Sequence, residues 1–371
     1  MPNAENATAT ALQHWLDGLA TEQADAAVAA AVSAARTPGA QPDGQRATSW
    51  DYGAYVDSGE NKEINTYARE EIDAGAEALL FRLYHQPDVD DVAEILAGIP
   101  LRDISLNCSL RYPGQDPAEL FRDLIRYLRR EGIELASVSG SVDFDPLLDW
   151  SEPPFPPLIR LLFFVSRWMP EFRVLQVNAA GFNNGVAEAD TELALAVAKG
   201  KAYMQRIKEA GYSVALANRH LKFAFTVGTS FYGDVAKLRA FRALWSKVLD
   251  GLGVDNPPLA NVAVHTDITT MTPDTDQNRL LLNLQALSAD LGGADLLFLT
   301  PAEGQFAPAT GEGRQMVRDV RNRFRPRGGL TSVAGVDHVY LDDLTIALVR
   351  AAWTRYQTIE SQGGFAEAAD F

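Results

Sequence analysis

The stretch Lys222-Phe223-Ala224-Phe225-Thr226-Val227 has the length and apolar character of a β-strand, and residues 233–252 after it have the periodicity of an amphipathic α-helix. A strand followed by a helix forms a parallel crossover unit. The other strand-like runs lie at residues 50–56, 78–84, 104–110, 135–142, 174–178, 262–267 and 296–300. Helical periods separate them, for example at residues 62–74, 117–131, 188–210 and 276–291. Eight units in about 280 residues predict an α/β fold of the (β/α)8 TIM-barrel type rather than an open sheet.

Acidic side chains outnumber basic ones in this 371-residue chain, 49 to 33, so its formal net charge is −16. Such a charge opposes binding to nucleic-acid phosphates and to anionic membranes. The longest apolar run, residues 161–165, is too short to span a bilayer, and the N-terminus does not resemble a signal peptide. Cys108 is the only cysteine, which excludes an internal disulfide and a thiolate metal cluster. We therefore expect a cytoplasmic protein with no nucleic-acid partner and no membrane partner.

The N-terminal region differs in composition from the rest of the chain. Four large apolar residues at helical spacing predict a short amphipathic helix: Leu12, Trp15, Leu16 and Leu19. A linker rich in proline and glycine follows at residues 37–44. Residues 1–46 are therefore predicted to form an arm and linker, and residues 47–371 the barrel domain. The apolar stripe of the arm packs either on this chain's own barrel or on another chain.

The reactive side chains of such a barrel come from the C-terminal ends of the strands and from the loops after them. His265, Thr266 and Asp267 stand at one such end. His265 is therefore a candidate functional residue, and the alternative is a hydrogen-bonded histidine of the barrel rim. No two histidines have the spacing of metal ligands and HExxH is absent, so we expect no resident metal site. The residues alone indicate a polar barrel mouth without a recognisable catalytic set.

Four segments resemble, in order and spacing, the barrel region of the methylmalonyl-CoA mutase family. The most specific begins Val227-Gly228-Thr229-Ser230-Phe231-Tyr232-Gly233 and continues to Trp245. The others lie at residues 182–196, 271–295 and 340–365. The resemblance implies a TIM barrel that holds a coenzyme A thioester along its axis. In that family a separate C-terminal domain holds adenosylcobalamin over the barrel mouth.

The chain departs from the family pattern at its functional positions. The family's Asp-x-His-x-x-Gly motif, whose histidine binds cobalt, is missing, and residue 371 follows the last barrel helix directly, so we expect this chain to bind no cofactor. Asn183 stands where catalytic members have a histidine, and an amide does not transfer protons. His265 resembles a family histidine and, with Thr266 and Asn184, is a candidate substrate-binding residue. The family's aromatic and arginine cluster is not recognisable in residues 50–58.

Heterodimeric mutases pair a catalytic large subunit with a homologous small subunit that keeps the barrel and lacks the catalytic site. Residues 65–83 resemble the small subunit more than the large one. The resemblance implies a non-catalytic small subunit that stabilises a large subunit, which carries adenosylcobalamin and interconverts methylmalonyl-CoA and succinyl-CoA. Its candidate interface residues are Trp15, Leu12 and Leu19, and an acyl-CoA is a candidate ligand. The alternatives are the barrel subunit of a split acyl-CoA mutase, whose cobalamin domain is a separate chain, and a free-standing acyl-CoA-binding scaffold.

Overall fold

The computed structural model describes residues 50–57, 59–110, 117–149, 155–306, 309–324 and 338–366, so Trp15, Leu12 and Leu19 lie outside the described residues. The strands are β1 (Asp51–Val56), β2 (Ala78–Leu83), β3 (Ser105–Leu110), β4 (Gly140–Asp143), β5 (Phe172–Arg173), β6 (Leu175–Asn178), β7 (Leu221–Val227), β8 (Asn261–Thr266) and β9 (Leu296–Phe298). The helices are α1 (Asn61–Asp73), α2 (Val89–Leu96), α3 (Pro117–Arg130), α4 (Pro146–Asp149), α5 (Phe155–Trp168), α6 (Ala189–Glu209), α7 (Val214–Arg219), α8 (Phe231–Gly251), α9 (Thr275–Gly292), α10 (Gly311–Phe324) and α11 (His338–Ser361).

Across the described ranges, the nine strands form one parallel sheet in the order β5-β4-β3-β2-β1-β9-β8-β7-β6. β1 pairs with both β2 and β9, so the first and last strands meet, as they do in a barrel. β5 and β6 are consecutive in the chain and are separated only by Val174. The Gln176 amide of β6 donates to the Phe144 carbonyl oxygen, directly after β4, at 2.8 Å. β5 and β6 therefore share one barrel position, and the predicted (β/α)8 fold is confirmed.

The fourth strand begins later than its composition predicts. Within residues 135–142, Leu135–Ser137 forms a 3-10 turn, and the pairing with β3 starts only at Gly140. Gly140 has a φ of +147°, and a Cβ placed there would lie 1.8 Å from the Leu106 carbonyl oxygen. The two strands approach so closely at this point that only glycine fits.

The outward faces of the strands pack against the helices. In β7, Phe223 and Phe225 contact Phe241 of α8 at ring-centroid distances of 4.5 and 4.8 Å, and Phe223 contacts Trp245 at 4.9 Å. All four side chains are buried. Gly200 of α6 packs directly against the same indole. A Cβ at this position would lie only 2.7 Å from the Trp245 ring. This aromatic core sets α6 and α8 against the barrel wall.

Four of the described helices have no counterpart among the predicted helical periods: α2, α4, α5 and α7. α2 has only eight residues, and α5 contains the apolar run at residues 161–165. α5 packs with one face only, since Phe163 and Trp168 are exposed while Leu161 and Val165 are buried. No described helix is long and apolar enough to cross a membrane.

Candidate functional site

The inside of the barrel has a polar half and an apolar half. Side chains alternate along each strand, so every second residue points inward. The polar half comes from β3, β4, β6 and β7 and includes Asn107, Ser141, Asp143, Gln176 and Lys222. The apolar half comes from β1, β2, β8 and β9 and is a buried cluster of Ala78, Leu80, Ala263, Leu296 and Phe298 with Tyr55 beside it.

A buried ion pair fills the polar half. Lys222 Nζ donates to Asp143 Oδ1 at 2.5 Å and to Ser141 Oγ at 2.7 Å. The Ser141 hydroxyl donates in turn to Asn107 Oδ1 at 2.8 Å. The Lys222 and Asp143 side chains are 1% and 9% exposed. Since the charges are paired and hydrogen-bonded, the cluster meets the conditions under which buried ions are tolerated.

Phe298 of β9 fills the apolar half. Its ring lies directly over Gly53 of β1, where a Cβ would be 2.0 Å from the nearest ring carbon. On its other side it stacks on the His265 imidazole, with ring centroids 5.2 Å apart and an interplanar angle of 12°. Phe298 is completely buried. Its ring and the Lys222 cluster together occupy the middle of the barrel.

The mouth of the barrel contains a second polar group around Tyr55. The Tyr55 hydroxyl lies 2.8 Å from His265 Nδ1. The Arg82 guanidinium lies over the Tyr55 ring at 4.1 Å and pairs with Asp57 at 2.9 Å. Burial raises the pKa of Tyr55 to about 12, although the nearby Arg82 charge opposes that rise. The phenol therefore stays protonated at neutral pH, and its hydroxyl lies within hydrogen-bond distance of the imidazole.

Similarity to known proteins establishes the family. The family model described as methylmalonyl-CoA mutase matches residues 87–370, most of the described barrel. The chain belongs to the methylmalonyl-CoA mutase family. A methylmalonyl-CoA mutase small subunit from Porphyromonas gingivalis is 26% identical over 83% of this chain and 52% of its own length. A probable methylmalonyl-CoA mutase small subunit from Mycobacterium tuberculosis is 29% identical over 86% of this chain and 53% of its own length.

Large subunits of the same family are also similar to this chain. The methylmalonyl-CoA mutase large subunit of Propionibacterium freudenreichii subsp. shermanii is 24% identical over 76% of this chain and 40% of its own length. The chain therefore spans about half the length of the curated small subunits that it matches, and less of this large subunit.

Asn183, which the family resemblance predicts at the position of the catalytic histidine, lies in the loop after β6 and belongs to a hydrogen-bonded rim. Its amide donates to Asp267 Oδ2 at 2.8 Å. The other oxygen of Asp267 accepts from the Thr269 backbone amide and hydroxyl. This arrangement holds the loops after β6 and β8 together and keeps the Asn183 amide engaged with a carboxylate.

The three substrate-binding candidates lie in different surroundings. His265 points into the barrel, where it contacts Tyr55 and Phe298. Thr266 alternates with it and points into the wall, where its hydroxyl accepts from the Thr300 amide at 3.0 Å. Asn184 is exposed and donates to Glu188 at 2.8 Å. Of the three, the structure joins only His265 to the polar group at the mouth.

Tyr55 and Arg82 are site residues that the sequence reasoning missed. They place an aromatic ring and a guanidinium beside the first strand, the region in which no family-like cluster was recognised in the sequence. The available signal was positional, because both residues occupy inward-facing positions near the C-terminal ends of β1 and β2. Within the described ranges, no group of three or more His, Cys, Asp or Glu side chains is arranged to hold a metal.

Proposed function

We propose that this chain is a small, non-catalytic subunit of an adenosylcobalamin-dependent methylmalonyl-CoA mutase and that it stabilises a homologous large subunit. The observation that carries the proposal is the filled barrel. The family resemblance implies a coenzyme A chain along the axis, and here Lys222, Asn107 and Phe298 are each no more than 1% exposed in that region. A ligand on the axis would have to displace a buried ion pair and an aromatic ring, at a cost of several kcal/mol.

The rim residues support the same proposal. Catalysis in the family uses a histidine at the position of Asn183, and the amide of Asn183 is bound to Asp267 instead. An asparagine has no titratable proton, so it does not act as a general acid. A barrel with this rim and a filled axis retains its outer surface for a partner while lacking groups for turnover.

Three histidines, His85, His220 and His265, do not suit adenosylcobalamin as a resident cofactor of this chain. His220 is 1% exposed and its Nδ1 lies 2.6 Å from the Phe172 carbonyl oxygen. His265 is stacked inside the barrel, and His85 is exposed in the loop after β2 without the family's cobalt-binding motif. We therefore assign the cofactor, which supplies the radical chemistry, to the large subunit, and we expect no micromolar cobalamin binding in calorimetric titrations of this chain.

We expect no conversion of methylmalonyl-CoA to succinyl-CoA by the isolated chain, even after a free cobalamin domain is added. The Asn183→His variant is also expected to be inactive, because restoring the histidine leaves the axis filled by Lys222 and Phe298. The measurement is succinyl-CoA formation, with an active mutase as a positive control. Turnover by the unmodified chain would favour the split acyl-CoA mutase instead.

We also expect a stable 1:1 complex between this chain and a large subunit encoded nearby, with a contribution from residues 1–46. The predicted stripe around Trp15 offers large apolar side chains, and burying each contributes about 1.5–3 kcal/mol before ordering costs. Deleting residues 1–46, or changing Trp15→Ala, should therefore raise the Kd of the complex in a pull-down or by interferometry. An unchanged Kd in both variants would show that the arm takes no part.

The neighbouring open reading frames separate this proposal from its alternatives. A full-length large subunit next to this gene supports the small-subunit role, and a lone cobalamin domain supports the split mutase. If neither is found and no homologous chain co-purifies with the protein, the acyl-CoA-binding scaffold is favoured. In that case a titration with acetyl-CoA is the direct test.

A further inference from the structure

A cleft of about 690 Å³ lies beside the barrel mouth, between α1, α10 and the end of β1, and Tyr55 and Arg82 are part of its lining. This volume is in the range of pockets that hold small organic ligands. Its apolar wall includes Ile64 of α1, Leu299 after β9 and Val317 of α10, and Tyr67 and Arg314 form part of its polar wall. The cleft thus offers an apolar surface beside a fixed cation.

The other cations around the cleft are paired with carboxylates. Arg82 pairs with Asp57 at 2.9 Å. The buried Glu71 carboxylate pairs at 2.7 Å with Arg318, one turn along α10 from Arg314. At the rim, the carboxylate of Glu63 accepts from the Glu60 amide at the start of α1. Lys62 pairs with Glu94 at 3.7 Å, and the Glu63 and Glu70 carboxylates are exposed at the rim.

Arg314 is the exception. Its guanidinium lies over the Tyr67 ring at 4.3 Å, which fixes its position in the wall. Among the described residues it has no carboxylate within ion-pair distance, and its buried Nε has no hydrogen-bond partner. The guanidinium charge is therefore balanced by no described carboxylate, and an anionic group in the cleft would form a charge-assisted hydrogen bond with it.

We propose that this cleft is a binding site for a small organic anion, a carboxylate or a phosphate ester, whose charged group binds Arg314. The apolar part of the ligand lies on Ile64, Leu299 and Val317. The cleft adjoins the barrel mouth at Tyr55 and Arg82, whereas its apolar wall and Arg314 come from α1, α10 and the segment after β9. It does not depend on the proposed subunit role, since the cleft is formed entirely by this chain.

The test is calorimetric titration of the full chain with two probes, adenosine 5′-monophosphate for the phosphate source and hexanoate for the carboxylate source. We expect saturable 1:1 binding of at least one probe, and the probe that binds identifies the charged group. Arg314→Gln should weaken that binding at least ten-fold, about the factor for a lost charged hydrogen bond. Arg314→Lys should keep part of the affinity, because it keeps the charge.

Two further variants make the test specific. Arg129→Gln removes the same charge from an exposed position on α3 and should leave binding unchanged. Thr66→Trp fills the cleft from an exposed position on α1, keeps every charge, and should abolish binding even if Arg314→Gln lowers the melting temperature. If neither probe saturates at millimolar concentration, or if Arg314→Gln and Thr66→Trp bind like the unmodified protein, the proposal is wrong.

Discussion

Changing Asp143→Ala is expected to lower the free energy of unfolding by about 3–5 kcal/mol, because it leaves the Lys222 charge buried without its carboxylate. The Lys222 side chain is 1% exposed and keeps only the Ser141 hydroxyl as a hydrogen-bond partner after the change. Urea denaturation followed by circular dichroism measures the loss. The expected effect is large because water does not reach the stranded ammonium group.

A surface ion pair supplies the matched control. Asp90 is 84% exposed and pairs with Arg130 at 3.2 Å. Its replacement, Asp90→Ala, should cost no more than about 1 kcal/mol, as expected of solvated pairs. The double change Asp143→Leu with Lys222→Met should recover much of the stability, since it leaves no buried charge. If Asp143→Ala costs no more than Asp90→Ala, the pair does not sustain the barrel interior.

The second large effect is expected at Gly140, where Gly140→Ala should cost more than about 4 kcal/mol and reduce the yield of folded protein. The added Cβ would lie 1.8 Å from the Leu106 carbonyl oxygen, and the backbone φ of +147° is unfavourable for alanine. This steric clash can be relieved only if β3 and β4 move apart, and that movement also displaces Ser141 and Asp143. Soluble yield and melting temperature are the measurements.

Gly132→Ala is the control for Gly140→Ala, because it has the cost of a positive φ without a steric clash. Gly132 has a φ of +66°, and a Cβ there meets no atom within 4 Å. We expect the free energy of unfolding to fall by about 1 kcal/mol, the usual cost of the left-handed conformation for a residue with a Cβ. If Gly140→Ala and Gly132→Ala lowered the free energy of unfolding equally, the close approach of β3 and β4 would be contradicted.

Much of the fold was predictable because its signals are local. The apolar runs around β1, β2, β7 and β8 match the observed strands to within one or two residues. Alternation of apolar strands and amphipathic helices determined the parallel crossovers and, from their number, the barrel. The start of β4 was not predictable in this way, because the close contact between Gly140 and Leu106 belongs to two strands and not to one.

The contacts within the candidate site, in contrast to the fold, were mostly not predictable from the sequence. The family resemblance predicted Asn183 at the position of the catalytic histidine, and the apolar run before it placed His265 at a strand end. The sequence did not pair Lys222 with Asp143, which are 79 residues apart, or Tyr55 with His265, which are 210 apart. Those contacts depend on the register of the closed sheet and on which side chains meet across the barrel. The filled axis and the cleft around Arg314 therefore arise only in the folded chain, where desolvation and pairing act between distant residues.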